Sequence, residues 1–360
     1  MSTENNKIDN LNSKILKKEN YPKISDVKRH LINFTVVLMV FLFIFFLVEK
    51  NIISTYIQGI LISTFISIIM ATALNIATGF LGQIALGHAG FMAIGAYSSA
   101  IITIAMKNAS ILSNGPFENL IRFLIGTTFG GILAGFFGLL VGIPALRLKG
   151  DYLAIITLGF GEIIRVMIQN MEIMRKGRSF VGMDNLSNLY VIFWIMVISV
   201  SILYAFVNSK YGRAIVAIRE DEIAAGASGL NTTYYKVLAF TLSAFFAGVA
   251  GSIYAHYIGT LQPSLASFNR SIEFIVIVVL GGMGSLTGSV VAAIMLVALP
   301  EALRSFSEYR MLVYSVALII IMIFRPSGLF GNYEFSIVKI LNKYFWKKKD
   351  TSSDNMEVNN

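Results

Sequence analysis

The chain has 360 residues, 56% of them hydrophobic and only 14% charged, against ~45–50% apolar and ~25% charged in an average soluble domain; this excludes an ordinary soluble globular protein. The absence of cysteine and the presence of only three histidines, His30, His88 and His256, exclude a disulfide framework, thiolate chemistry and a His-rich metal site, so neither a metal nor a cofactor is expected. The net charge of +9 divides into +3 over residues 1–30, +4 over the centre and +2 over residues 325–360, which fits anchoring on anionic lipid and not a nucleic-acid surface.

In chain order, residues 1–30 are polar and carry Lys7, Lys14, Lys17, Lys18, Lys23, Lys28 and Arg29. They precede an apolar run, Leu31–Val48, with no small-residue cleavage pattern, so the pattern predicts an uncleaved anchor. Further apolar stretches fall at about 57–79, 83–106, 120–143, 152–170, 189–207, 237–258 and 311–324, with 272–300 as two short pieces divided by glycines. The reading is an all-α polytopic membrane protein with eight to ten crossings over 31–325, some glycine-interrupted or re-entrant, between a basic N-terminal segment and a basic tail, 326–360. Lys/Arg in both termini place both in the cytoplasm. Arg147 with Lys149, and the loop 208–236, then fall inside as well. Arg175, Lys176 and Arg178 violate the rule, since counting puts 171–188 outside.

Two segments are rich in glycine. LNIATGFLGQIALGHAGFMAIGAY (Leu74–Tyr97) holds Gly79, Gly82, Gly87, Gly90 and Gly95, and VLGGMGSLTGSVVAAI (Val279–Ile294) holds Gly281, Gly282, Gly284 and Gly288. Small residues let helices approach closely, and glycine-broken helices near the midplane expose backbone to a translocated solute. Both readings stand, and Gly82, Gly87, His88, Gly90, Gly281, Gly282 and Gly284 are the candidate path residues. His88 also reads as a hydrogen-bond partner in helix packing. Glu162 and Arg165, spaced i, i+3, read as a structural ion pair. No chain of carboxylates runs through the spans, as a proton- or sodium-driven carrier would need.

The longest charged inner segment is NSKYGRAIVAIREDEIAAGASGLNTTYYK, Asn208 to Lys236. Its pattern predicts one helix from Arg213 to about Ala225, stopped by Gly226 and Gly229, with Gly229 left-handed at the helix end. A solvated surface helix is the plain reading. A docking helix for a cytoplasmic partner is the functional one, with small residues permitting close contact and Arg213, Arg219, Glu220, Asp221 and Glu222 fixing register. No G-x-x-x-x-G-K-[ST] loop, G-x-S-x-G elbow or H-E-x-x-H helix occurs, so an enzyme, and an ATPase in particular, has no residues to rest on.

At this loop the sequence resembles a family. GRAIVAIREDEIAAGASGLN (Gly212–Asn231), GDYLAIITLGFGEIIRVMIQN (Gly150–Asn170), Leu74–Tyr97 and VLGGMGSLTG (Val279–Gly288) resemble the branched-chain amino acid ABC transporter permeases of the LivM type, over roughly residues 60–325. Within that resemblance Glu222, Ala224, Ala225 and Gly229 match the E-x-A-A-x3-G loop by which such permeases contact their ATPases. RKGRSFVGM (Arg175–Met183) is more basic than the glycine-rich stretch usual there. The resemblance implies a plasma-membrane importer subunit that works with a second, related permease, two cytoplasmic ABC ATPases and an extracytoplasmic solute-binding protein. It implies branched-chain or related amino acids as solute, with urea, amides or nucleosides as alternatives within the family. An autonomous secondary transporter and a purely structural scaffold are the rival classes.

Overall fold

In a computed structural model, the described residues are 26–50, 52–109, 115–146, 148, 150–171, 180–181, 185–186, 188–306, 309–325, 328–329 and 331. The lysines of 1–25, the pair Arg147 and Lys149, the charges Arg175, Lys176 and Arg178, and the lysine tail lie outside them. The chain divides into two units, Met1–Glu49 with Ser336–Asn360, and Lys50–Phe335. Of the first unit, the described part is helix α1, Asp26–Glu49.

The second unit is built from helices α2 (Thr55–Asn75), continued by a π turn Ile76–Phe80, then α3 (His88–Asn108), α4 (Pro116–Ala145), α5 (Asp151–Asn170) and α6 (Leu189–Asn208). Two short helices follow, α7 (Lys210–Glu220) and α8 (Glu222–Ala227), before the long α9 (Thr232–Ile258). The last three are α10 (Phe268–Gly281), α11 (Leu286–Ala302) and α12 (Arg310–Phe324). Among the described residues, one strand pair interrupts the helices: Phe180–Val181 (β1) pairs antiparallel with Thr260–Leu261 (β2).

Among the described residues, six helices are long and apolar enough to cross a membrane: Thr55–Phe80, His88–Asn108, Phe117–Ala145, Tyr152–Asn170, Leu189–Asn208 and Thr232–Ile258. Phe34–Glu49 and Leu286–Ala302 are shorter apolar helices. This is a multi-pass all-α membrane protein. At 1.5 Å per residue, the 14 residues of α10 and the 17 of α11 reach about 21 and 25 Å, short of the ~30 Å hydrocarbon core. The two glycine segments therefore do different things. The first joins two helices that are each long enough to span; the second divides a pair in which neither is.

The centre is the mutual packing of α9, α4 and α3, with α2 against α9 and the α10–α11 pair against α2. Lipid tails are as apolar as leucine, so helices in a bilayer associate through close packing. The sequence provides for it with small residues at the crossings. A Cβ at Gly130 of α4 would lie 2.7 Å from the Gly95 carbonyl oxygen of α3, and one at Gly248 of α9 would lie 2.8 Å from the Gly130 oxygen. Only glycine lets these three backbones meet. On α5 the periodicity is one-sided: Leu153, Thr157, Ile164 and Ile168 are buried, and Tyr152, Ile155, Ile163 and Met167 are exposed.

Candidate functional site

Helix α2 does not stop cleanly. The Thr78 hydroxyl donates to the Leu74 carbonyl at 2.9 Å, the Leu81 amide reaches back to Ile76, and the Gln83 amide reaches back to Ala77. The wide π turn and Gly82, at φ +73°, reverse the chain; a side chain there would strain the backbone. The first amides of a helix lack intrahelical acceptors, and here side chains from distant helices supply them. The Ala89 amide donates to the Ser271 hydroxyl of α10 at 3.3 Å, and just ahead of the helix the Leu86 amide donates to the Thr157 hydroxyl of α5 at 3.1 Å.

The second glycine segment is locked onto the first. Asn75, the last residue of α2, donates through Nδ2 to the Ser285 carbonyl at 2.9 Å and to the Ser289 hydroxyl at 2.7 Å. Its Oδ1 accepts from the Gly284 amide at 2.9 Å. Gly282 and Gly284, at φ +110° and +89°, make the tight turn, and Ser285 caps α11 by accepting from the Gly288 amide at 3.0 Å. A Cβ on Gly79 would collide with both Asn75 Oδ1 and the Gly284 amide nitrogen.

The candidate path residues are thus closed by packing in this conformation. Gly87 lies against the Thr157 backbone, a Cβ on Gly90 would stand 3.1 Å from Gly161 Cα, Gly281 faces Gly288, and a Cβ on Gly282 would stand 3.0 Å from the Gly331 nitrogen. His88 is fully buried between the rings of Phe91 and Phe240, with Nε2 2.7 Å from the Ser243 hydroxyl. That hydroxyl donates to the Ala73 carbonyl, so the ring acts as donor, tying α3 to α9 and α9 to α2. Glu162 and Arg165 bond at 2.6 Å across one turn of α5 and are about a third exposed. Two apolar grooves, of about 380 and 590 Å³, run between α4 and α9 past Leu139, Leu238 and Thr241, away from both glycine segments.

The 210–227 segment differs from its sequence reading. Instead of one helix over 213–225 there are two, because Asp221 leaves helical geometry (φ −153°, ψ 107°). Its carboxylate accepts from the Ile223 and Ala224 amides at 2.8 and 3.0 Å, which is what an N-cap does. Ser209 caps α7 and Asn231 caps α9 in the same way. An ion pair between a buried lysine and a half-buried glutamate, Lys236 Nζ to Glu222 Oε1 at 2.6 Å, fastens α8 to α9; the Lys236 side chain is only 5% exposed. Sequence reasoning missed it, since neither charge looked different from its neighbours.

The two alanines then part company. Ala225 is buried against its own chain, whereas Ile223 is 79% exposed and Ala224 and Gly226 lie open beside it. The outward face of α8 is therefore Ile223, Ala224 and Gly226, and a Cβ at Gly226 or Gly229 would meet nothing within 4 Å. Gly229 is left-handed at φ +85°. Arg213 and Glu220 are exposed, with Arg213 donating to the Asn208 carbonyl. Arg219 turns inward. Among the described residues no group of His, Cys, Asp or Glu is arranged to hold a metal.

Comparison with known proteins places these features. The family described as "Branched-chain amino acid transport system / permease component" matches residues 56–324, covering all six long helices, both glycine segments and the capped double helix. The high-affinity branched-chain amino acid transport system permease protein LivM of Escherichia coli K12 is 36% identical over 302 residues, 74% of this chain and 68% of the relative. The corresponding permease LivH of Salmonella typhimurium is 26% identical over 290 residues, 74% of this chain and 91% of the relative. BraD of Pseudomonas aeruginosa is 30% identical over 130 residues, 35% of this chain and 42% of the relative. No solved structure matches. On a match that runs from the start of α2 to the end of α12, the chain belongs to the family of permease components of branched-chain amino acid ABC transport systems.

Proposed function

We propose that this permease carries branched-chain or related amino acids inward across the plasma membrane as one half of a membrane pair. The second half is a related permease, two cytoplasmic ABC ATPases drive the pair, and an extracytoplasmic binding protein delivers the solute. The observation that carries the reading is the capped double helix α7–α8: a charged, non-spanning element lying between two spans, within a family match that extends unbroken through it. Its open face, Ile223, Ala224 and Gly226, is apolar and small, which suits a close-packed contact with a partner. In this reading both termini are cytoplasmic, and residues 1–30 and 326–360 hold the inner leaflet through their lysines.

Transport in this scheme requires the packed contacts at Gly87, Gly90, Gly281 and Gly282 to part and re-form as the ATPases close, exposing a path alternately to each side. Substrate choice rests largely with the binding protein. The test is purification in mild detergent followed by reconstitution. The expected result is co-purification of an ATPase and a second permease, with uptake of leucine-like solutes that depends on ATP and on the binding protein. Uptake by this chain reconstituted alone would overturn the reading. ATP-driven uptake of urea or amides, with leucine ignored, would keep the class and replace the solute.

A further inference from the structure

The feature left over is Arg219. The rest of the polar surface of α7 faces outward, but this side chain is about one quarter exposed and reaches under the end of α2. Its Nη1 donates to the Gly79 carbonyl, inside the π turn, at 2.9 Å. The other edge of the guanidinium, Nε and Nη2, donates to Glu220 Oε1 at 3.2 and 2.6 Å. The fork thus spans from its own helix to the backbone of another. Its stem fills the space over Gly82: a Cβ there would lie 2.6 Å from Arg219 Cγ and 3.2 Å from Cδ. The terminal carbonyls of a helix need outside donors, and in this π turn Gly79's is served by Arg219.

We propose that Arg219 is the positioning residue that transmits movement of the α7–α8 element to the end of α2, and through Asn75 to the α10–α11 turn. The proposal rests on the docking role of α7–α8 given above and says which side chain carries the motion inward. Three contacts in series compose the link: Arg219 to the Gly79 carbonyl, Gly79 packed on Asn75 and Gly284, and Asn75 bonded to Ser285 and Ser289. π turns are single-turn departures from α-helical geometry that recur at functional sites, and a displaced carbonyl in this one would move a backbone packed on both glycine segments. Glu222 and Lys236 hold α8 to α9 on the other side, which leaves Arg219 as the described side chain joining α7 to the π turn by a hydrogen bond.

The experiment uses the assembled transporter carrying Arg219→Ala, Arg219→Lys or Gly82→Ala, with a cysteine probe in place of the half-exposed Ile84; the native chain has no cysteine. For Arg219→Ala, loss of a charged hydrogen bond of this kind is expected to lower uptake per ATP hydrolysed by about tenfold, while the ATPase subunits co-purify in native amount. The shift of the Ile84 probe on trapping the ATP-bound state should disappear in parallel. Arg219→Lys, which can still donate to the Gly79 carbonyl but cannot hold Glu220 with a second edge, should restore part of both signals. Gly82→Ala, which displaces the Arg219 stem and also strains the left-handed backbone at φ +73°, should lose at least as much of both signals as Arg219→Ala. Native uptake per ATP with an unaltered probe response in Arg219→Ala would overturn the proposal, as would an Ile84 probe that ignores ATP in the Arg219 protein. Failure of the ATPases to co-purify with the native chain is a separate result: it removes the docking reading, and this link with it.

Discussion

Two places where helical geometry is abandoned, the Gly79–Gly87 turn and the break at Asp221, solve one problem with different partners. Each must find acceptors or donors for backbone groups that a helix end leaves open. At Asp221 the answer is local: its own carboxylate takes two amides within three residues, and Ser209 and Asn231 repeat the device on either side. At Gly79–Gly87 the answers come from far along the chain: Thr157, Ser271 and Arg219 serve the turn, and Asn75 binds it to 282–289. A break capped from within can be altered alone. A break capped by four other elements ties those elements together, and a change there is felt throughout the bundle.

The largest effect is expected at Gly79→Val. The added carbons would overlap Asn75 Oδ1 and the Gly284 amide at once, and neither is the free end of a flexible side chain. Overpacking of this kind typically costs about 1–3 kcal/mol and more when backbone must move, so little folded protein should survive detergent extraction. A native melting temperature for this variant would show that the two glycine segments are not in register as described. Next is Asn75→Ala, which leaves the Gly284 amide and the Ser285 carbonyl without their side-chain partner in a buried site. An unsatisfied buried group costs about 1–3 kcal/mol, and the thermal midpoint of the whole protein should fall, since α2, α10 and α11 lose their common fastening.

This contrast also decides what was legible in the sequence. The all-α membrane class, the loop between α6 and α9 and the left-handed Gly229 follow from run length, charge and glycine position, which are local properties. The glycine clusters announced irregular backbone. The apolar stretches 57–79 and 83–106 already separate the two long helices that the first cluster joins, but hydropathy continues through 83–87 and gives no sign that α3 starts at His88. Nor could spacing reveal Thr157 or Ser271 as caps: their partners lie 71 and 182 residues away. Asp221 was the reverse case. Its capping chemistry is visible in the sequence, but it sits among good helix formers whose propensity favours one continuous helix. Ala225, which the resemblance counts in the loop that contacts an ATPase, is buried against its own chain in the short helix that follows the break at Asp221.

A smaller effect is expected on the surface at Gly229→Val. The site is spacious, with nothing within 4 Å of an added Cβ, and the backbone is left-handed at φ +85°. The cost is conformational only, roughly 1–2 kcal/mol for a non-glycine residue in this region, and Gly229→Asn should recover much of it, since asparagine visits that region readily. Equal losses for valine and asparagine would mean that Gly229 is needed for a contact with a partner and not for its backbone.

The smallest effect on the whole protein is expected at Asp221→Ala. Loss of an N-cap costs about 1 kcal/mol, and here the loss should be confined to the turn and a half of α8, because Lys236 still holds Glu222 and Ala225 is still buried. Local opening of an exposed element does not require the bundle to open. Amide exchange at Ile223 and Ala224 should therefore accelerate about fivefold, the factor that ~1 kcal/mol corresponds to, while the melting temperature of the protein stays at the native value. Asp221→Ser, which keeps an acceptor oxygen at the capping position, should restore slow exchange. If Asp221→Ala instead lowers the melting temperature as far as Asn75→Ala does, the surface break is carrying load from the bundle. The distinction between a break capped from within and one capped from afar would then fail, and α7–α8 would have to be regarded as part of the core.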